Sequence, residues 1–296
     1  MNSGDTESLK HRYSEKHRVF EWKAFTEWKP VLEGMFRDIL TPDLKVKIKK
    51  NRYIVQYRDD PEAFETLASQ SIKAMITMEK ISEFRRRYSH IRVYHACRPE
   101  DVSIYYEKGI LPSIKVKDVQ VERFRGIFLN GKFPELTEEI LQQSIKIIGS
   151  KEDELSLHID DRFMLEHSTL YLIYGSEYLS NLVNNLPIKN SKEKYCSVLR
   201  RIGKPTFFEI NLPTTTEYSK DNNLWELIRD MIMEWTYCLA HSRALSSPGD
   251  NTFELSEPLP PEHICSHYHP RKIIDRFMGG KIYDTETGEY EENIYE

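Results

Sequence analysis

Residues 91–111 read Ile91-Arg92-Val93-Tyr94-His95-Ala96-Cys97-Arg98 and then Pro99-Glu100-Asp101-Val102-Ser103-Ile104-Tyr105-Tyr106-Glu107-Lys108-Gly109-Ile110-Leu111. The first half is a short β-branched and aromatic run, the composition of a strand. The second half reads as a helix opened by Pro99 and stopped by Gly109. A histidine ending a strand, with a helix behind it, places one imidazole at the edge of a cleft. Taken alone, His95 is equally well explained as a satisfied, half-buried strand residue.

Towards the N-terminus the texture is different. Phe20, Trp22 and Phe25, then Trp28, Leu32 and Phe36, have helical spacing, and Pro30 predicts two short helices rather than one. In Leu44-Lys45-Val46-Lys47-Ile48-Lys49-Lys50, lysines alternate with apolar residues, which predicts a strand with one cationic face, followed by a second strand from Tyr53 to Tyr57. Pro61 opens a helix whose stripe of Phe64, Leu67, Ile72, Met75, Ile81 and Phe84 ends in Arg85-Arg86-Arg87, three cations suited to a helix C-terminus. On the other side of the opening stretch, strands are expected at Gly126-Ile127-Phe128-Leu129, Leu170–Tyr174, Phe207–Pro213, Phe253–Leu255 and His269–Asp275. Helices are expected from Leu136 to about Glu166, over Gly175–Val183 and over Leu224–Ala240. Strict βαβ alternation is missing, so the expected class is α+β. The expected domains are a helical, basic N-terminal module over 1–88, a mixed domain over 89–278 and an acidic tail over 279–296.

The 296 residues carry 42 Lys and Arg against 47 Asp and Glu, a formal net charge of −5. That figure hides an asymmetry: residues 45–98 hold 13 cations and 6 acids, and residues 250–296 hold 4 and 11. A local net of +7 is what a polyanion would meet, whatever the bulk charge. No stretch approaches the roughly 18–20 apolar residues of a spanning helix, and the polar start lacks the apolar segment of a secretory signal. Cys97, Cys196, Cys238 and Cys265 form no CxxC pair, which points to reduced thiols and a cytoplasmic location. Phosphate-loop, GxGxxG, HExxH and GxSxG signatures are absent, which removes the commonest nucleotide-binding, zinc-protease and serine-hydrolase readings.

The strand with His95-Ala96, the helix and its Gly109-Ile110-Leu111 end resemble the first motif of the ADP-ribosyltransferase superfamily. The resemblance covers about 89–278 and implies a mixed, split-sheet transferase fold with NAD as co-substrate. It implies that His95, with Ala96 beside it, binds NAD, the imidazole hydrogen-bonding a ribose hydroxyl. Gly126-Ile127-Phe128-Leu129 stands about where the family carries a strand with an aromatic that stacks on nicotinamide; Phe128 would supply that ring without the usual hydroxyl, and Tyr171 and Tyr174 are its rivals. Phe253-Glu254-Leu255-Ser256-Glu257-Pro258-Leu259-Pro260-Pro261-Glu262-His263-Ile264 is similar to the last motif of the nucleic-acid-directed toxins, which gives Glu257 as the first choice for the catalytic carboxylate and Glu254 as the second. A fixed negative charge suits the oxocarbenium character that develops as an N-glycosidic bond breaks. The implied setting is a bacterial toxin or anti-phage effector, with RNA or DNA as acceptor and an antitoxin protein as partner.

Lys47, Lys49, Lys50 and Arg52 interleave with Tyr53 and Tyr57, and Arg85, Arg86 and Arg87 precede the His95 strand; cations track phosphates and aromatic rings stack on unpaired bases. Each cationic run is also what a solvated surface looks like. The alternative function is therefore a non-enzymatic nucleic-acid-binding or protein-interaction module built on residues 45–98. His263, Cys265, His267 and His269 alternate as zinc ligands could, but one strand seldom wraps a tetrahedral ion alone, so no metal is expected. A third, minor reading is a metal-dependent nuclease on that cluster.

Overall fold

A computed structural model describes residues 18–148, 154–167, 169–188 and 192–291. The chain begins with β1 (Val19–Phe20), followed by the helices α1 (Phe25–Met35), α2 (Pro42–Lys50), α3 (Pro61–Ala68), α4 (Ile72–Met75) and α5 (Met78–Arg87). Strand β2 (His90–Cys97) leads to α6 (Ser103–Lys108), α7 (Ser113–Phe128) and α8 (Glu138–Ile148). Next come β3 (Leu155–His158), α9 (Asp161–His167), α10 (Leu170–Tyr174), α11 (Glu177–Asn184) and α12 (Lys192–Leu199). The remainder is β4 (Thr206–Pro213), α13 (Asp221–Ala240), β5 (Thr252–Leu255), β6 (Ile264–Tyr268), β7 (Lys272–Asp275), β8 (Lys281–Asp284) and β9 (Glu289–Tyr290). A six-stranded sheet has the order β5-β3-β2-β4-β6, with β1 parallel to β2; β7, β8 and β9 form an antiparallel sheet of three. The class is α+β.

The chain forms two compact units. Of the described residues, one unit holds those up to Val93, His158–Asp160 and Ile210–Phe253, and the other holds those within Tyr94–Leu157, Asp161–Glu209 and from Glu254 onward. The boundary thus falls inside β2 rather than at residue 88, and a later segment, Ile210–Phe253, belongs with the first part of the chain. Residues 1–17 and 292–296 of the expected N-terminal module and acidic tail lie outside the described residues.

In the first unit, α13 is apolar on one broad face: Leu224, Leu227, Ile228, Met231, Ile232 and Trp235 are buried at i, i+3 and i+4 spacing. Phe20, Trp22, Phe25, Trp28, Phe84 and Tyr88 pack as an aromatic cluster with ring centroids 4.8–6.2 Å apart. The two indoles also satisfy their N–H groups, Trp28 Nε1 donating to the Trp22 carbonyl at 2.9 Å and Trp22 Nε1 to the Ser247 carbonyl at 2.8 Å. In the second unit, Tyr94 and Ala96 of β2 and Phe207 of β4 face a core made by Phe124 and Phe128 of α7, Leu141 of α8, Leu172 and Ile173 of α10, Leu179 and Leu182 of α11 and Tyr195 of α12.

Several elements differ from expectation, each for a local reason. Leu44–Lys50 is helical: Thr41 caps it by accepting from the Leu44 amide at 3.3 Å, Pro42 occupies the first turn, and Leu44 and Ile48, four apart, are its buried residues. Residues 53–57 form turns instead of a second strand. Phe25–Met35 is one helix with Pro30 inside it, because Phe25, Trp28, Leu32 and Met35 all bury one stripe. The long stripe after Pro61 breaks into three helices at Ser69, which is left-handed (φ 55°), and at the Thr77 cap. Gly126–Leu129 is the end of α7, and Leu170–Tyr174 is a helix closed by Gly175 at φ 94°. Pro99 lies ahead of α6 rather than at its start. The polar helix expected from Leu136 to Glu166 gives way to α8, β3 and α9.

Candidate active site

Strand β2 alternates so that Tyr94 and Ala96 enter the core of the second unit while His95 and Cys97, half-buried, point to the other face. His95 Nδ1 lies 3.4 Å from the Ser156 carbonyl of β3. With the proton on Nδ1 donating to that oxygen, Nε2 is the acceptor of the neutral ring. Ala96 buries its methyl (3 % exposed), so only its main chain can meet a ligand. Burial pushes the Cys97 thiol up to about 12, with the Tyr105 hydroxyl as its polar partner.

Helix α6 packs beside this face. The Tyr105 ring stacks on Phe208 of β4 (centroids 4.6 Å apart, planes 29° apart), and the Tyr106 hydroxyl meets His267 Nδ1 of β6 at 2.8 Å. Burial pushes the Tyr106 phenol up to about 12. At its C-terminus, Gly109 takes φ 76°, and the next residue, Ile110, exchanges both main-chain hydrogen bonds with Leu259, at 2.9 and 2.8 Å. A Cβ on Gly109 would stand 2.0 Å from the Leu259 carbonyl oxygen, so only glycine fits. The Gly-Ile-Leu end of the first motif and the Leu-Pro-Pro-Glu turn of the last are therefore joined directly.

The two candidate carboxylates occupy different settings. Glu254 is exposed in β5 between buried Phe253 and Leu255. Thr252 Oγ1 meets His158 Nδ1 at 3.2 Å, so these two residues share one face of the β5–β3 pair; two positions along, Glu254 and Ser156 share it too. Glu257 lies beyond the strand, its side chain 82 % exposed, paired at 2.8 Å with Lys115, itself 43 % exposed. An ion pair in water of this kind contributes well under about 1 kcal/mol and holds neither partner firmly. Glu254, the second choice, lies in a strand of the His95 sheet, and Glu257, the first choice, stands beyond that strand.

The expected stacking ring requires correction. Phe128 is fully buried in α7, 4.8 Å from Phe124 and 5.6 Å from Tyr195, so its face is covered by core rings. Tyr174 is buried as well, donating to Asp275 Oδ2 at 2.6 Å. Of the three named aromatics, Tyr171 alone keeps a partly exposed ring; its hydroxyl lies 3.2 Å from Glu177 Oε2.

The structure also sorts the basic residues. Arg85 donates to the Thr214 and Ser219 carbonyls and to Asp221 at 2.6–2.8 Å, and Arg87 pairs with Glu83 at 2.7 Å. Arg85 is tied into its own unit, and Arg87, its side chain 37 % exposed, shares a carboxylate one helical turn away. Lys47 donates to the Leu67 carbonyl at 2.6 Å but keeps an exposed stem, while Lys49, Lys50, Arg52 and Arg86 are exposed. The histidine run has separate partners: His267 meets Tyr106, and His269 Nδ1 lies 2.9 Å from the Pro205 carbonyl. Among the described residues no group of three or more His, Cys, Asp or Glu side chains could hold a metal ion, and no helix is long and apolar enough to cross a membrane.

Three contributors escaped sequence reasoning. Ser156 sits in β3, whose Leu-Ser-Leu-His offers only two apolar alternations after a run of charge. Tyr105 and Tyr106 were signalled by lying within the opening stretch, immediately after the histidine strand. No protein-family model, no curated protein and no solved structure matches the chain.

Proposed function

We propose that the chain is an NAD-dependent ADP-ribosyltransferase with His95 and Glu254 as its working pair and a nucleic acid as acceptor, acting as a toxin or phage-defence effector. The observation that carries the proposal is the Ile110–Leu259 clamp, which ties the helix behind His95 to the turn that follows Glu254. The sharing of one sheet by β2, β3 and β5 supports it. The residues fit NAD in part: an imidazole acceptor and a strand carboxylate are present, but Phe128, Tyr171 and Tyr174 pack in or against the core on the face of β2 opposite His95 and supply no ring beside it.

In this reading, a ribose hydroxyl donates to His95 Nε2, held in that tautomer by the Ser156 carbonyl. The bond from ribose C1′ to the nicotinamide nitrogen breaks, and nicotinamide leaves with the bonding pair. Glu254 stabilises the positive charge that develops at C1′. The acceptor's oxygen or nitrogen then bonds to C1′, and its proton passes to the Glu254 carboxylate and on to water.

Incubation with NAD labelled in its ADP-ribose half, together with an extract of RNA and DNA, tests the proposal. Label should enter nucleic acid with release of nicotinamide, and His95→Ala and Glu254→Gln should each slow it about a hundredfold or more. Absence of both transfer and nicotinamide release from the unaltered chain overturns the reading.

A further inference from the structure

The first unit displays a feature that a transferase site does not require. From Leu44 to Arg58 there are six cations and no acid. Three of the six are engaged within the unit: Lys45 pairs with Glu33 at 2.7 Å, Arg58 pairs at 2.7 Å with Glu234, which is fully buried, and Lys47 donates to the Leu67 carbonyl at 2.6 Å. Lys49 and Lys50 on α2 and Arg52 just after it are exposed, and Lys47 stays exposed beside them despite its bond, with Val46 half exposed among them.

The segment after the helix is anchored, yet it presents two large rings to water. Val55 is buried, and its carbonyl lies 2.9 Å from His241 Nε2. The Ile54 amide closes a turn on the Asn51 carbonyl at 2.9 Å, and Gln56 Nε2 donates to the Tyr53 carbonyl at 3.1 Å. Between these anchors Tyr53 and Tyr57 are each 67 % exposed. Burial of a tyrosine contributes stability, so a held loop that exposes two of them gives up that gain in the free protein. Asp59 and Asp60 mark the far edge of the surface, and Asp60 is occupied in capping α3 through the Ala63 amide at 3.2 Å.

We infer that Lys47, Lys49, Lys50, Arg52, Tyr53 and Tyr57 form a docking surface for single-stranded nucleic acid, the lysines and arginine following the phosphates and the tyrosine rings stacking on unpaired bases. Charge selects a polyanion over an apolar protein face, and the two exposed rings select bases that are free to stack. The inference does not rest on the transferase reading, and its test omits NAD.

Fluorescence anisotropy of the full chain with labelled dT and rU oligonucleotides is the measurement. Binding to both should weaken with salt. Tyr53→Ala with Tyr57→Ala should reduce affinity about tenfold or more, whereas Tyr53→Phe with Tyr57→Phe should retain it. Lys49→Gln, Lys50→Gln and Arg52→Gln together should lower affinity at least about tenfold and flatten the log–log salt slope by about 2. Binding that survives the alanine pair, that is equal for duplex and single strand, or that is displaced equally well by polyglutamate would overturn the inference. So would the absence of binding at low salt.

Discussion

Single residues decide which parts of the candidate site can work. Glu254 and Glu257 are three positions apart, yet one is fixed in a strand and the other stands in solvent beside Lys115. Glu257→Gln should therefore leave nicotinamide release within about twofold of the unaltered chain. Gly109 is the tightest point of the motif clamp. Gly109→Ala combines a positive φ with a Cβ that meets the Leu259 carbonyl, so it should cost about 2 kcal/mol or more, visible as a thermal midpoint several degrees lower. His158 makes stability depend on pH. Burial lowers it to about 4, against about 6.5 for the unfolded chain. Above pH 6.5 both states are neutral there and nothing is lost. Between pH 6.5 and 4 the unfolded chain takes up the proton first, so stability falls by roughly 2–3 kcal/mol across that window and levels off below it. Urea midpoints measured from pH 7 to 4 should show the fall, and His158→Gln should remove most of it.

Elements show where sequence was informative and where it was not. Strands β2, β4 and β5 and helix α13 follow directly from runs such as Phe207–Pro213 and Leu224–Ala240, whose apolar periods are long enough to dominate. Helix α2 is misread because Lys45, Lys47 and Lys49 alternate by chance; the physical period is carried by Leu44 and Ile48, and the start by Thr41 and Pro42. Thr41→Ala should therefore cost about 1 kcal/mol and speed amide exchange across Leu44–Lys50. Phe128 and Tyr171 were assigned to strands because short aromatic runs fit either period; tertiary packing against Tyr195 and the helix stop at Gly175 decide for helix. Strand β3 was illegible for the opposite reason: four residues with two leucines carry too little pattern, although the strand lies between β5 and β2 and holds the Ser156 carbonyl against His95.

At the scale of the whole molecule, the opposite charges at its two ends serve different purposes. Part of the acidic C-terminal stretch is structural. Asp275, wholly buried, accepts from Tyr174 and from Tyr290 of β9 at 2.6 and 2.5 Å, and Arg200 lies 3.0 Å from the Tyr290 hydroxyl with its guanidinium over that ring. The tail is therefore a strap on the second unit, and Tyr290→Phe should lower its stability by about 1–3 kcal/mol, read as a lower denaturant midpoint. The basic stretch divides as well: Arg85 and Arg58 hold the first unit together, while Lys49, Lys50 and Arg52 face solvent.

The central claim, that His95 and Glu254 act as one site, is tested most directly by nicotinamide release from NAD by four proteins side by side. The account predicts release by the unaltered chain and by Glu257→Gln, and loss of about a hundredfold or more in His95→Ala and in Glu254→Gln. Equal release by all four, or release lost with Glu257→Gln and kept with Glu254→Gln, would contradict it.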